Sequence, residues 1–199
     1  MIDDVRFLSN LSSGRTGYAV AVAARDAGHD VTLVSGPVSL APPEGVTVID
    51  VVSARDMRDA LVGVVPASDA LVMSAAVADY RPRERFDGKL KKSEGPFALD
   101  LVRNPDILAD LGERFAGASD RPVMIGFALE AADGLTNARS KLERKRLDLI
   151  VLNGPGNLGS ARSAFTLVGP DGAEEPRELS KDGLAALLVE RAEELSSRR

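Results

Sequence analysis

Short apolar runs alternate with helix-like segments along most of this chain, and this alternation limits the folds that it can adopt. Buried strands are predicted at residues 31–35, 46–52, 70–74, 123–127 and 149–152. Helical spacing is seen at residues 17–27, 54–64, from 105 onward and at 137–146. Strands that alternate with helices pair in parallel, and the helices cover both faces of the sheet. The predicted fold class is therefore α/β, a Rossmann-like doubly wound, mostly parallel sheet.

Two regions depart from this alternation. Residues 81–92 lack apolar periodicity, so we expect a flexible basic flap there, whereas residues 97–102 alternate as a strand does. The C-terminal part predicts a hairpin followed by a helix. Its features are strands at 165–168 and 174–177 around Pro170-Asp171-Gly172, an amphipathic helix at 181–195 capped by Ser180, and a preceding glycine-rich stretch at 155–162.

Length and composition exclude several classes of protein. A chain of 199 residues suits one domain with a full core, so residues 1–199 are predicted to form a single domain. The net charge of −5 argues against nucleic acid as a partner. No apolar run reaches transmembrane length and no signal-peptide core is seen, so we expect no membrane contact and a cytoplasmic location.

The reactive side chains available to this chain are few. It has no cysteine, which excludes disulfides, thiolate zinc sites and a cysteine nucleophile. Its single histidine, His29, lies in a polar turn before a strand, which excludes a histidine-based triad or a multi-histidine metal site. Chemistry carried out by this chain must therefore depend on lysine, arginine, asparagine and carboxylate side chains.

The strand at residues 70–74 runs into small residues and then a carboxylate. Ala75 and Ala76 would let a ligand approach the backbone, and Asp79 suits ribose hydroxyls. A lysine cluster follows about ten residues later, at Lys89, Lys91 and Lys92. A basic flap suits phosphates, although a solvated loop explains such a cluster equally well. Together these features favour a nucleotide site.

Four further segments allow both a functional and a purely structural interpretation. Residues 12–17 (SSGRTG) could bind an anion at a helix N-terminus or simply cap a turn. Asn104 and Pro105 predict a helix start, with Asn104 as N-cap and Pro105 as first residue. Phe127 could stack on a base or pack in the core. Lys141 and Lys145, four residues apart, could reach one triphosphate or form a solvated basic face.

A nicotinamide-dependent oxidoreductase is the obvious alternative for such a fold. The spacing G-x-G-x-x-G is absent, however, and Gly14 and Gly17 keep only part of it. The strand at residues 31–35 ends in Ser-Gly-Pro, where a ribose-binding enzyme of that class places an acidic residue. The chain also lacks a P-loop. These features disfavour the oxidoreductase.

Taken together, these segments resemble phosphopantothenoylcysteine synthetase, the CTP-dependent phosphopantothenate–cysteine ligase domain of the bacterial coenzyme A biosynthesis bifunctional flavoprotein family. The resemblance covers Val5 to about Asn153. The matching segments are VRFLSNLSSGRTG, VTLVSGPVSL, SAAVADYRP, GKLKK, VRNPDIL, IGFALE and ARSKLERKRLDLIVLN. The combination of AAVADYR, KxKK and NPDIL is specific to this family.

The resemblance implies a two-step ligation. The carboxylate of 4′-phosphopantothenate attacks the α-phosphate of CTP and pyrophosphate leaves. The amine of cysteine then attacks the acyl-cytidylate, giving 4′-phosphopantothenoylcysteine and CMP. The resemblance also implies a need for Mg²⁺, with no ligands assigned on this chain, and a homodimer.

The resemblance assigns roles residue by residue. Asn10 matches the asparagine that contacts the acyl-cytidylate, Arg6 the arginine that supports it, and Lys89 the catalytic lysine of the flap. The implied nucleotide contacts are Met73, Ser74, Ala75, Ala76, Asp79, Lys89, Pro105, Asp106, Ile107, Leu108, Phe127, Lys141 and Lys145.

The chain departs from the family pattern in two places. Family members begin with one more strand and a Gly/Thr-rich turn, and we expect a late or truncated start here; the alternative is a CTP-binding domain without turnover. The flavin-dependent decarboxylase half is not among these residues, so no FMN is expected on them. Residues 154–164 are more glycine-rich than in the family, where this region contributes dimer contacts.

Overall fold

The helices and strands of the chain follow one another much as the periodicity predicts. The computed structural model describes residues 1–92, 94–154, 156 and 162–199. In chain order the elements are α1 Arg15–Asp26, β1 Thr32–Ser35, β2 Thr47–Asp50, α2 Ala54–Val64, β3 Ala70–Met73, β4 Tyr80–Pro82, β5 Leu101–Arg103, α3 Ile107–Arg114, β6 Val123–Leu129, α4 Gly134–Arg144, β7 Leu149–Asn153, β8 Arg162–Gly169, β9 Gly172–Ala173, β10 Arg177–Ser180 and α5 Lys181–Ser197.

The main sheet has the strand order β10-β8-β7-β6-β3, with β9 beside β8. Strands β3, β6 and β7 run parallel, with Val72 opposite Ile125 and Gly126 opposite Ile150. Strands β8, β9 and β10 form the antiparallel side of the sheet. The expected hairpin around residues 170–172 is confirmed, and its first strand lies within β8. The second strand, expected at 174–177, is instead divided into β9 at 172–173 and β10 at 177–180.

Each face of the main sheet carries its own apolar cluster. Successive residues of β6 point to opposite faces, and Val123, Met124 and Ile125 are all fully buried. One cluster joins the sheet to α2, α3 and α4, and the other joins it to α1 and α5. This two-sided burial explains the continuous apolar runs of the parallel strands.

Strands β1 and β2 form a separate parallel pair, with Leu33 opposite Val48. Helix α1 packs against both β1 and β3, so it connects the pair to the main sheet. Among the described strands, none pairs with the second edge of β1 or of β3.

Helix ends were predicted with mixed success. Helix α2 spans Ala54–Val64, as predicted, and begins with a capping box between Ser53 and Asp56. The predicted cap of α5 is also confirmed, since Ser180 Oγ accepts a hydrogen bond from Gly183 N–H at 3.0 Å. The predicted start at Pro105 is wrong. Helix α3 begins at Ile107, because the Asp106 carboxylate accepts a hydrogen bond from Ala109 N–H at 3.2 Å and acts as N-cap.

Asn104, expected to cap that helix, instead ties two loops together. Its side chain donates to the Ala78 carbonyl at 2.8 Å and accepts from Arg81 Nη1 at 3.2 Å. Arg81 belongs to β4, which pairs with β5, so the expected flap is not irregular throughout its length. The strand expected at 97–102 is correspondingly shorter and shifted, at Leu101–Arg103. Most of residues 155–162 lie outside the described residues.

Gly112 and Gly63 form a matched pair for a test of packing. A Cβ at Gly112, in α3, would lie 2.1 Å from the Lys145 carbonyl oxygen, whereas a Cβ at Gly63, in α2, would meet nothing within 4 Å. We expect Gly112→Ala to destabilise the fold by about 1–3 kcal/mol or more through overpacking. Gly63→Ala should stabilise it by up to about 1 kcal/mol through helix propensity.

Urea unfolding of both variants measures these changes, with an unchanged slope as evidence of two-state behaviour. A Gly112→Ala variant as stable as the parent would contradict the close approach of α3 to the end of α4.

Candidate functional site

The carboxyl ends of β3 and β6 meet at one edge of the main sheet, because the two strands are parallel neighbours. Ser74, Ala75 and Ala76 follow β3 at this edge, and the two alanines are exposed. Helix α1 approaches closely here, since a Cβ at Gly17 would lie 2.9 Å from Ser74 Oγ. Glycine at position 17 therefore permits the close approach of α1 to Ser74.

The first turn of α1 also reaches this edge. Its N-cap, Gly14, has a φ of 73° and provides no side-chain hydrogen bond. The backbone N–H groups of that turn therefore lack a capping partner on the N-cap residue, and such groups attract anions. Ser13 Oγ accepts a long hydrogen bond from Arg15 N–H, at 3.5 Å, so the geometry is compatible with both the anion-binding and the capped-turn interpretations of residues 12–17.

Asn10 lies directly against the end of β3. Its side-chain Nδ2 donates hydrogen bonds to the carbonyls of Ala76 at 3.1 Å and Val77 at 3.3 Å. The N-terminal segment thus brings its amide to the small residues that were predicted to contact a nucleotide. A reactive role for Asn10 stays a prediction.

Arg6 and the flap are joined through Asp3. Arg6 Nε donates to Asp3 Oδ2 at 3.0 Å, and Arg6 Nη2 donates both to Asp3 Oδ2 and to the Leu90 carbonyl, the latter at 2.9 Å. The backbone N–H of Leu90 also donates to Asp3 Oδ2, at 3.0 Å. Leu90 directly follows Lys89, which is exposed. Arg6, predicted to support Asn10, is thus joined to the residue that follows Lys89.

Asp3 is a residue that sequence reasoning missed. Its side chain is 0% exposed although much of the surrounding segment is exposed. The Arg6 guanidinium, together with the backbone N–H groups of Val5, Arg6 and Leu90, holds the pKa of the Asp3 carboxyl well below its usual range despite burial. Its spacing of three residues from Arg6 was the only signal in the sequence, and that signal is weak.

Lys141 and Lys145 do not converge as two free cations. Lys141 Nζ lies 2.6 Å from Glu130 Oε1, and Lys145 Nζ lies 2.9 Å from Asp106 Oδ1. Asp106 therefore caps α3 and holds Lys145 at the same time. Glu130, which follows β6, is a second residue that sequence reasoning missed, and Asn137 Nδ2 donates to its other oxygen at 3.0 Å.

The other predicted contacts differ in what they can offer a ligand. Ile107 and Leu108 are buried in the core, so only their backbone could meet a ligand. Phe127 is half-buried against the α1 and α5 side of the sheet, whereas α4 covers the opposite side. A ligand touching both Phe127 and Lys141 must therefore lie across the sheet edge. Asp79 is exposed next to Ala78.

Within the described residues, no group of three or more histidine, aspartate or glutamate side chains is arranged to hold a metal ion.

In the same part of the chain, no helix has the length and apolar character needed to span a membrane.

Comparison with known proteins gives consistent matches. The chain matches the family described as DNA/pantothenate metabolism flavoprotein C-terminal domain over residues 1–195. It is 42% identical over 201 residues to the coenzyme A biosynthesis bifunctional protein CoaBC of Vibrio parahaemolyticus, which covers 98% of this chain and 49% of that protein. It is 48% identical over 153 residues to CoaBC of Bacillus subtilis (strain 168), which covers 76% and 37%. The chain thus spans half or less of these relatives.

A solved structure gives the same picture for the fold. The crystal structure of the C-terminal domain of coenzyme A biosynthesis bifunctional protein CoaBC matches with a TM-score of 0.81 and 35% identity, covering 100% of this chain and 90% of that one. These matches confirm the family resemblance drawn from the motifs and the predicted Rossmann-like fold class.

The pair of Glu130 and Lys141 makes stability depend on pH. We expect Glu130→Gln to lower the free energy of unfolding at neutral pH by about 1 kcal/mol, because a part-buried charged hydrogen bond is lost. Lys141 holds the pKa of Glu130 below its ordinary value of 4.5, with Asn137 contributing. The stabilisation is therefore present above that ordinary value and is lost as the pH falls through the lower pKa of the folded protein.

Urea unfolding of parent and variant from neutral pH down to about pH 3 measures this dependence. The exposed Glu143 on α4 offers a matched control, and Glu143→Gln should change stability little at any pH. Parallel pH curves for the parent and Glu130→Gln would argue that the ion pair contributes nothing.

Proposed function

This chain belongs to the DNA/pantothenate metabolism flavoprotein C-terminal domain family, and from that membership we propose that it ligates 4′-phosphopantothenate and cysteine, with CTP as co-substrate, in coenzyme A biosynthesis. The names of the relatives and the motif assignments both support this activity. The choice of CTP follows from the family resemblance.

The observation that carries the proposal is that the N-terminal segment contacts both the backbone after β3 and the flap. Asn10 contacts the backbone after β3, and the same N-terminal segment, through Arg6, holds the residue after Lys89. An asparagine amide, a lysine ammonium and exposed backbone of small residues suit transfer of a nucleotidyl group to a carboxylate. Such chemistry depends on positioning and charge neutralisation more than on a protein nucleophile.

In the proposed first step, a carboxylate oxygen of 4′-phosphopantothenate forms a bond to the α-phosphorus of CTP, and the bond to the leaving pyrophosphate breaks. In the second step, the amine of cysteine forms a bond to the acyl carbon, CMP leaves with its oxygen, and the nitrogen releases a proton. Lys89 stabilises negative charge on the phosphates and the acyl oxygen, and Asn10 contacts the acyl-cytidylate and assists its formation or breakdown.

The nucleotide is proposed to lie across the sheet edge. The backbone of residues 73–76 and of residues 105–108 would border it, with Asp79 near the ribose and Phe127 near the base. Lys141 and Lys145 would meet its phosphates or remain on their carboxylate partners. A flap that closes over this edge would exclude water from a hydrolysable acyl-nucleotide.

Mg²⁺ belongs to the proposal as a companion of the nucleotide. The described residues form no cage of three or more ligands for it. Mg²⁺ commonly binds substrate phosphates together with one or two carboxylates, and it then neutralises charge on the phosphates. We propose further that the protein acts in the cytoplasm as a homodimer.

A second candidate is nucleotide binding without turnover. Among the described strands none pairs with the second edge of β1 or of β3, which favours this candidate because β3 carries the backbone that borders the proposed site. An unpaired strand edge leaves backbone groups without partners and weakens the local structure. This candidate shares the binding residues of the first and differs in its products.

The direct test measures pyrophosphate and CMP released from CTP with 4′-phosphopantothenate and Mg²⁺, with and without cysteine. Pyrophosphate release together with CMP that requires cysteine would establish the two-step ligase. CTP binding by calorimetry without either product would favour the second candidate. Neither binding nor products would reject both.

Lys89→Gln tests the assigned catalytic lysine. We expect turnover to fall by at least ~10²-fold, as for loss of one donor to a developing oxyanion, with unchanged thermal stability because Lys89 is exposed. Arg83→Gln is a matched control, since Arg83 is an exposed flap cation that pairs with exposed Asp100. Turnover near the parent value in Lys89→Gln would remove Lys89 from the mechanism.

A further inference from the structure

The Asp3 carboxylate is an unusual feature of the N-terminal segment. Phe7 and Leu11 in this segment are 58% and 90% exposed, whereas Asp3 is 0% exposed. A buried carboxylate is costly unless hydrogen bonds and a counter-charge compensate for the lost water. Asp3 has both, since it accepts five hydrogen bonds, two of them from Arg6 side-chain nitrogens.

The two oxygens of Asp3 serve different partners. Oδ1 accepts the backbone N–H groups of Val5 at 2.9 Å and Arg6 at 2.7 Å, which shapes the local turn. Oδ2 accepts the two Arg6 side-chain donors and the Leu90 N–H, 87 positions away. Oδ2 therefore connects the N-terminal segment to the flap.

Backbone contacts extend this connection along the flap. Phe86 N–H donates to the Ile2 carbonyl at 2.9 Å, and Asp4 N–H approaches the Gly88 carbonyl at 3.4 Å. Arg6 Nη2 holds the Leu90 carbonyl at 2.9 Å. The residues on both sides of Lys89 are thus held by the N-terminal segment, while the Lys89 side chain is left exposed.

We propose that Asp3 is a positioning residue that orients Arg6 and holds Leu90, so that Lys89 is presented to the reacting groups. The expected loss of turnover rests on the proposed ligase function, whereas the contact between Asp3 and Leu90 does not. Asp3 acts through Arg6 and the flap backbone and does not touch substrate. The low pKa of Asp3, caused first by the Arg6 guanidinium, keeps the carboxylate ionised over the working range of pH.

Asp3→Asn isolates the Oδ2 contacts. The amide oxygen can keep the hydrogen bonds from Val5 and Arg6 N–H, but the amide nitrogen then faces three donors where Oδ2 accepted them. The flap should be released while the local turn remains. Since a displacement of about 1 Å can cost 10²-fold in rate, we expect turnover to fall by about 10- to 100-fold.

A double-mutant cycle with Lys89→Gln separates positioning from a general structural effect. If Asp3 acts through Lys89, the double variant Asp3→Asn/Lys89→Gln should be no slower than Lys89→Gln alone. Multiplied losses in the double variant would overturn the proposed route through Lys89.

Limited trypsin digestion tests the contact independently of any activity. Cleavage after Lys91 and Lys92 should be about 10-fold faster in folded Asp3→Asn, because release of the flap raises the population of its open form. Cleavage at the parent rate would overturn the proposal. If cleavage is faster in Asp3→Asn while the parent protein itself releases neither CMP nor pyrophosphate, that result would support the contact and reject only the ligase function.

Two further variants complete the design. Asp4→Asn is the matched control, because Asp4 carries the adjacent carboxylate. Asp4 pairs with exposed Arg85, and exposed ion pairs of this kind contribute little to stability. Its digestion and turnover should stay within about twofold of the parent. If Asp3→Asn fails to fold, Leu90→Pro removes the same Leu90 N–H from the flap side and should release the flap equally. Parent-like digestion of Leu90→Pro would then overturn the proposal.

Discussion

Burial of the parallel strands β6 and β7 on both faces positions every other part of this protein. Val123, Met124 and Ile125 of β6 exclude solvent on alternate sides, and Ile150 and Val151 of β7 do the same beside them. Each fully buried aliphatic side chain contributes about 1.5–3 kcal/mol, so this pair of strands is firmly held. Because β3 is parallel to β6, the edge where Ser74, Ala75 and Ala76 emerge is anchored to that core.

The groups proposed to do chemistry are held differently. Asn10, Arg6 and Lys89 lie on exposed segments. Hydrogen bonds join Asn10 to the backbone after β3, and join Arg6 and Asp3 to Leu90, the residue after Lys89. Such contacts break at lower free energy than the core does. The proposed site thus combines a backbone platform anchored to the core with a cover held by weaker contacts, and in the proposed mechanism this cover opens for substrates and closes for reaction.

Ion pairs add a further constraint at the α4 side of the site. Lys141 and Lys145 each face a carboxylate, so a phosphate that binds there exchanges one anionic partner for another. The net gain in affinity is smaller than for an unpaired lysine, but the side chains are already oriented. Asp106 links this arrangement to the fold, since one carboxylate caps α3 and orients Lys145.

The sequence alone determined the α/β class, the bounds of α2, the Ser180 cap and the family. These depend on periodicity, caps and short motifs, which are local properties. The tertiary structure decided that Asp106 rather than Asn104 caps α3, that β1 and β2 stand apart from the main sheet, and that Glu130 holds Lys141. Most of all, it decided the role of Asp3, because the Leu90 N–H that it accepts lies 87 positions away. No local pattern specifies a partner so distant; only the folded chain brings the two together.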